Sequence, residues 1–176
     1  MSNRARIAAA AAITLTAVMA CPTMPAFADG HHGSEGKGHH GHLIHTDDLM
    51  PVLASQTGTK GAIRGINGGG LPWVIGEGEL DVRADGRVHM EVEGLVIDPT
   101  ETANPAVAGI NPVAAFKVIV SCVTASGVVN VSTATTPATR TGNAELDTMV
   151  SLPSDCMSPI GFVTSPGGAW FARSAG

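Results

Sequence analysis

The sequence has few charged residues and few aromatic ones. Of its 176 residues, 14% are charged and 3% are aromatic, and tyrosine is absent. A helical bundle or coiled coil needs Ala, Glu, Lys and Leu in bulk, so low charge together with 22 glycines argues against both. The net charge of −5, without a concentrated basic patch, disfavours nucleic-acid binding because an acidic chain repels phosphates. The length allows one ordinary domain.

Motifs of the common enzyme classes are missing as well. The sequence has no Gly-x-Ser-x-Gly elbow, no phosphate loop and no dinucleotide fingerprint. A carboxylate pair for glycoside hydrolysis could be drawn from its glutamates, but that chemistry usually needs a cleft with aromatic platforms, and only two tryptophans are present. We therefore predict that the protein is not an enzyme and requires no cofactor, with an extracellular hydrolase as the remote alternative.

Residues 1–28 have the three-part layout of a secretory signal. A basic start with Arg4 and Arg6 precedes an apolar run over residues 7–20, and residues 26–28 match an Ala-x-Ala cleavage site. The run is shorter than the roughly 20 residues of a membrane span, so a membrane anchor is the less favoured alternative. Removing the two arginines with the signal takes the net charge from −5 to −7. We expect a secreted or cell-surface protein.

Cys21 offers a different route of processing. Residues 18–21 read Val-Met-Ala-Cys and resemble a bacterial lipoprotein box, in which the cysteine is lipidated and becomes the new N-terminus. Methionine at the second position departs from the usual small or branched residue. Lipidation would tether the protein to a membrane face without changing its fold.

Cys122 and Cys156 are the cysteines that remain after signal removal. In an exported chain, two thiols most simply form one disulfide. Closing a loop of about 35 residues would stabilise the fold by about 4 kcal/mol in chain-entropy terms. Two free buried thiols are the alternative, and a metal held by this pair alone is less favoured still.

Residues 29–61 are predicted to be a flexible arm rich in histidine and glycine. The first part has no apolar periodicity and cannot bury enough surface to offset the entropy of ordering. Short apolar patches at residues 43–45 and 49–53 could dock on the domain that follows. A further break is expected at residues 58–61.

Six of the seven histidines lie in this arm. They are His31, His32, His39, His40, His42 and His45. Imidazole is a common ligand of Zn²⁺, Cu²⁺ and Ni²⁺. The nearby carboxylates of Asp29, Glu35, Asp47 and Asp48 could complete the coordination. The signal is compositional, since no fixed ligand spacing is present. A solvated linker, or a weak binder without a biological role, remains the alternative.

From residue 62 onward the pattern changes to short apolar and alternating segments separated by turn residues. Strands are predicted at residues 62–66, 73–82, 87–97, 114–124, 128–133, 144–152, 160–164 and 169–173. Seven to eight short strands with frequent turn signals indicate an all-β fold, an antiparallel β-sandwich or flattened barrel over residues 62–176. Trp73 and Trp170 are expected to pack in its core, with an exposed contact for a partner or glycan as the alternative.

One hairpin can be derived in register. A three-residue loop of Ala84, Asp85 and Gly86, with glycine in the left-handed position, brings the apolar sets of both strands to one face. The predicted cross-strand pairs are Arg83–Arg87, Val82–Val88, Asp81–His89, Glu79–Glu91 and Glu77–Glu93. A bulge at Gly76 or Gly78 would shift the outer pairs.

This register places like charges opposite one another on the solvent face. The glutamates concerned are Glu77, Glu79, Glu91 and Glu93. A bound Ca²⁺ would relieve their repulsion, because hard cations accept clustered carboxylates. A solvated acidic face without an ion is the simpler expectation.

Four segments carry a resemblance to a known group of proteins. Residues 67–73 read NGGGLPW, residues 91–97 read EVEGLVI, residues 120–122 read VSC and residues 162–171 read FVTSPGGAWF. Together they resemble a family of uncharacterised exported proteins from actinobacteria, over residue 62 to the C-terminus. The resemblance implies export and a β domain without implying a mechanism.

The favoured function is therefore an exported, non-catalytic binding or structural module of the cell surface or extracellular space. Its partner would belong to the cell envelope or the extracellular medium, and it would contact a membrane only if Cys21 is lipidated. A metal-binding protein that acts through the histidine-rich arm is the first alternative.

Overall fold

The computed structural model describes residues 41–176, and within this range the chain is all-β, as predicted. The described chain forms twelve strands: β1 (His42–Thr46), β2 (Met50–Pro51), β3 (Trp73–Val74), β4 (Glu77–Arg83), β5 (Arg87–Glu93), β6 (Val96–Ile97), β7 (Ala115–Thr124), β8 (Gly127–Ser132), β9 (Thr136–Pro137), β10 (Ala144–Met149), β11 (Met157–Thr164) and β12 (Trp170–Arg173). Two short 3-10 helices span Ala54–Gln56 and Gly58–Gly61. None of the helices in this range is long and apolar enough to cross a membrane.

The strands form two main antiparallel sheets and one small pair. One sheet has four strands in the order β1-β4-β5-β10. The other runs β2-β12-β11-β7-β8, with β9 also paired to β7, and β3 pairs with β6. The sheets pack on one another without closing into a barrel, so the sandwich is the form observed. Alternation along each strand turns its apolar side toward the core that the two sheets share.

The core lies between the two main sheets. Leu80, Val82 and Met90 of the four-stranded sheet are fully buried, as are Phe116 and Phe162 of the other. Gly161 on β11 marks where the sheets approach closely, since a Cβ there would collide with Leu80. All the buried apolar residues of the described chain belong to one cluster.

The β4–β5 hairpin forms in the predicted register. Its paired residues include Val82–Val88, Asp81–His89, Glu79–Glu91 and Glu77–Glu93. Arg83 and Arg87 lie at the strand ends that flank the loop. Gly86 has φ +93° and donates its N–H to the carbonyl of Arg83 at 2.9 Å, as the glycine-ended loop requires. The register runs from Val82 to Glu77 without a shift, so the alternative of a bulge in this pairing is wrong.

The predicted disulfide between Cys122 and Cys156 is present. The two Cα atoms are 4.8 Å apart, and the bond joins β7 to the residue that precedes β11.

Both tryptophans are core residues, as expected. Trp170 donates its Nε1–H to the carbonyl of Gly61 at 2.9 Å, and Trp73 stacks on Phe171 with ring centroids 3.9 Å apart. The predicted signal over residues 1–28 and the lipidation site at Cys21 lie outside the described residues.

The structure corrects the predicted extent of the arm. Residues 42–61 form two strands and two 3-10 helices that belong to the β domain. Their apolar patches dock on the core, where Ile44, Leu49 and Val52 are buried. Val52 also donates its N–H to the carbonyl of Phe171 at 2.8 Å. Burial of these few apolar side chains stabilises the segment, although most of its residues are polar.

The strand predicted at residues 62–66 is also wrong. Ile63 and Ile66 make only an isolated bridge to each other across a turn. Arg64 and Gly65 have φ of +50° and +82°, so the chain reverses where the prediction had it extended. Arg64 instead donates to the carbonyls of Ser121 and Ser158 at 2.9 and 2.8 Å, which fixes the turn against the six-stranded sheet.

Candidate metal site on the four-stranded sheet

The outer face of the four-stranded sheet carries its polar residues in rows that cross the strands. One row, in the order β1, β4, β5 and β10, consists of His45, Asp81, His89 and Asp147. The next consists of Glu79, Glu91 and Glu145, and beyond it Glu77 pairs with Glu93. The intervening residues of β4 and β5 point into the core. Strand alternation therefore collects histidines and carboxylates on one face.

A bulge in β1 adds a second histidine to the first row. His42 and His45 are three residues apart, and in a regular strand they would point to opposite faces. The pairing of β1 with β4 shifts between His42 and Ile44, so that Leu43 is the extra residue. A bulge of this kind re-aims the neighbouring side chain. Both imidazoles consequently reach the same carboxylate of β4.

The three side chains form a compact cluster around Asp81. The Nδ1 atoms of His42 and His45 lie 2.6 and 3.1 Å from Asp81 Oδ2. The two rings are edge-on, with centroids 5.2 Å apart. Arg83 Nε lies 3.4 Å from the other oxygen, Oδ1. One carboxylate oxygen thus faces both imidazoles while an arginine holds the other.

The cluster is buried on the Asp81 side and open on the histidine side. The Asp81 side chain is 10% exposed, whereas those of His42 and His45 are 46% and 67% exposed. Burial of Asp81 acts to raise its pKa, but the hydrogen bond and charge of His42, with the hydrogen bonds of His45 and Arg83, hold the pKa below its ordinary value of 3.8. The carboxylate is therefore ionised at neutral pH, and an ion from solvent can approach it past the imidazoles.

Two imidazole nitrogens and one carboxylate oxygen are a donor set that transition metals accept. Bonds of about 2.0–2.2 Å to a tetrahedral Zn²⁺ place neighbouring ligand atoms roughly 3.3 Å apart. The ligand atoms of His42, His45 and Asp81 all lie within 4.8 Å of one another, so small side-chain rotations would admit an ion. Arg83 would orient the carboxylate from outside, as second partners of metal ligands do. Water would complete the coordination on the exposed side.

The predicted histidine ligands have two different outcomes. His42 and His45 lie together in this cluster, while His31, His32, His39 and His40 fall outside the described residues and stay a prediction. Asp81 was missed as a ligand, because the sequence identifies it only as the hairpin partner of His89. Asp48 instead donates its N–H to Thr46 Oγ1 in a turn.

The predicted calcium ligands lie side by side on the same face. Glu77, Glu79, Glu91 and Glu93, with Asp47, line a shallow depression of about 400 Å³. Each of the four glutamates is exposed, and the pairs Glu79–Glu91 and Glu77–Glu93 stand opposite one another. Among residues 41–176, three potential ligand atoms lie within 4.8 Å of one another only at His42, His45 and Asp81. The glutamates therefore form an acidic surface without a ready-made cage.

Comparison of the chain with protein-family models, with curated proteins and with solved structures gave no match. The resemblance to exported actinobacterial proteins stays a prediction.

Proposed function

We propose that the protein is an exported, non-catalytic module that binds a divalent transition-metal ion, Zn²⁺, Cu²⁺ or Ni²⁺, through His42, His45 and Asp81. The observation that carries the proposal is the convergence of two imidazoles on one ionised carboxylate oxygen, at 2.6 and 3.1 Å. The bulge in β1 serves this convergence, since without it His42 would face away from Asp81.

Export is supported by the disulfide and by the N-terminal pattern. The bond between Cys122 and Cys156 would persist in an oxidising compartment outside the cytosol. The secretory layout of residues 1–28 points the same way. An exported protein would encounter copper, zinc or nickel ions at the cell surface or in the extracellular medium.

A non-catalytic role fits the surroundings of the site. The cluster lies on an open sheet face, and the acidic depression beside it has no aromatic residue in its lining. A hydrolase acting on a glycan would need a cleft that orients its substrate between two carboxyl groups. The alternative of a hydrolase therefore has less support than metal binding.

Calorimetric titration of the purified protein with Zn²⁺, Cu²⁺ and Ni²⁺, with Ca²⁺ as the comparison ion, tests the proposal. We expect one site that prefers the transition metals to Ca²⁺. The variant Asp81→Asn should lose affinity at least tenfold, because it keeps the shape of the side chain but replaces the charged carboxylate oxygen with a neutral amide oxygen. His89→Ala is the matched control, because His89 lies in the same row next to Asp81. We expect this control to bind as the unchanged protein does.

A second set of variants separates this site from the other histidines. Replacing His31, His32, His39 and His40 together with alanine leaves the cluster intact. Retained binding in that variant would support the proposal. Binding that survives Asp81→Asn and disappears with the four-histidine variant would place the metal on the N-terminal histidines and overturn it.

A further inference from the structure

The ligands of the proposed site come from two neighbouring strands. His42 and His45 belong to β1, and Asp81 belongs to β4. A metal ion bound by all three would therefore cross-link two strands that are far apart in sequence. The cross-link would hold β1 at two points, its first residue and its fourth.

β1 is the edge strand of this sheet that carries the two histidines. It is paired only with β4 within the four-stranded sheet. Of its side chains, only Ile44 is buried, while His42 and His45 are exposed. The chain after it is anchored separately, because Leu49 and Val52 are buried and β2 pairs with β12 in the other sheet. Local opening of residues 42–46 therefore leaves the rest of the domain in place.

We propose that metal binding fastens β1 onto β4, so that the docking of this edge strand is controlled by the metal. The inference rests on the proposed metal site and adds a structural consequence to it. Opening of β1 separates His42 and His45 from Asp81 and so dismantles the site. An ion that binds only the closed form must stabilise the closed form.

The fastened strand also covers the edge of β4. Residues Leu80–Arg83 of β4 pair with β1, and opening would leave their main-chain groups on that side without partners. An uncovered strand edge is a template for pairing with another chain. Metal loading would thus keep this edge closed, and metal removal would make it accessible.

Hydrogen exchange of the main-chain amides measures the effect directly. With ZnCl₂ at a free concentration of about 100 times Kd, opening of β1 should become roughly 100-fold rarer, and its amides should exchange roughly 100-fold more slowly. β10 is the internal control, since it forms the opposite edge of the same sheet and carries no ligand. Its exchange should not change.

Variants make the outcomes distinct. Asp81→Asn should abolish the zinc-dependent slowing in β1, and His45→Ala should do the same while leaving β4 unaltered. Zinc binding by calorimetry that needs Asp81, without slower exchange in β1, would overturn this inference and leave the proposed function standing. Zinc binding that does not need Asp81 would remove the proposed function and this inference together.

Discussion

Glu91 occupies the most repulsive position on the outer face of the four-stranded sheet. It stands directly opposite Glu79 on β4 and Glu145 on β10, and all three side chains are exposed. Directly opposite residues in an antiparallel pair have Cβ atoms about 4.5–5.5 Å apart, and like charges there are destabilising. Replacing Glu91 with glutamine removes two repulsive pairs at once while keeping the size of the side chain.

The magnitude follows from Coulomb's law. Two unit charges roughly 6 Å apart in water repel by about 0.7 kcal/mol. At 0.15 M salt, where the screening length is about 8 Å, roughly half of that repulsion remains. Two such pairs therefore cost about 0.7 kcal/mol, and we expect Glu91→Gln to raise the free energy of unfolding by that amount. The corresponding rise in Tm is about 2–4 °C.

Urea unfolding and thermal melting, each at 0.15 M and 1 M NaCl, check this expectation. At 1 M salt the screening length is about 3 Å, so most of the gain should vanish. Glu77→Gln is the matched control, because Glu77 stands opposite one glutamate, Glu93, and should gain about half as much. A gain that persists at 1 M salt, or one no larger than in the control, would refute the electrostatic reasoning.

Three further predictions concern the disulfide, the Gly86 turn and the loss of stability at low pH. Replacing Cys122 and Cys156 with alanine should lower the free energy of unfolding by about 4 kcal/mol, measured by urea unfolding, because the bond spans 34 residues of sequence. Gly86→Ala should cost more than about 1 kcal/mol in the same assay, since φ is +93° and a Cβ would collide with the carbonyl of Val150; an unchanged midpoint would contradict that geometry. Because the folded protein holds the pKa of Asp81 below its usual value, the stability that this carboxylate contributes is complete above about pH 4 and is lost as the pH falls through the lowered pKa. Melting from pH 5 to pH 2 should therefore show a shallower fall for Asp81→Asn than for the unchanged protein.

The predictions of the hairpin register and of the disulfide, which rest on local pattern and on counting, are confirmed. The β4–β5 hairpin follows from alternation and from one glycine at the end of a three-residue loop, so its register is determined by the two strands and the loop alone. The disulfide follows from counting, because only Cys122 and Cys156 remain after the predicted signal.

Predictions that depend on distant contacts fail where the local signal is weak. The sequence predicts a flexible arm up to residue 61 and gives docking of the apolar patches at residues 43–45 and 49–53 only as a possibility. Burial of Ile44, Leu49 and Val52 against strands much later in the chain holds this segment in the domain. A short segment can be ordered by three well-placed side chains, and its own sequence does not show where they will pack.

The amino-acid sequence by itself determined the all-β class, the hairpin register, the single disulfide and the presence of metal-binding side chains near the N-terminus. Only the tertiary structure decided which of those side chains meet. His42 and His45 share a face because one extra residue enters the β1 ladder, and Asp81 joins them because β1 pairs with β4, a strand that begins about 30 residues later in the chain. Pairing between strands that are distant in the sequence is not readable from either strand alone, so the site exists only once β1 has paired with β4.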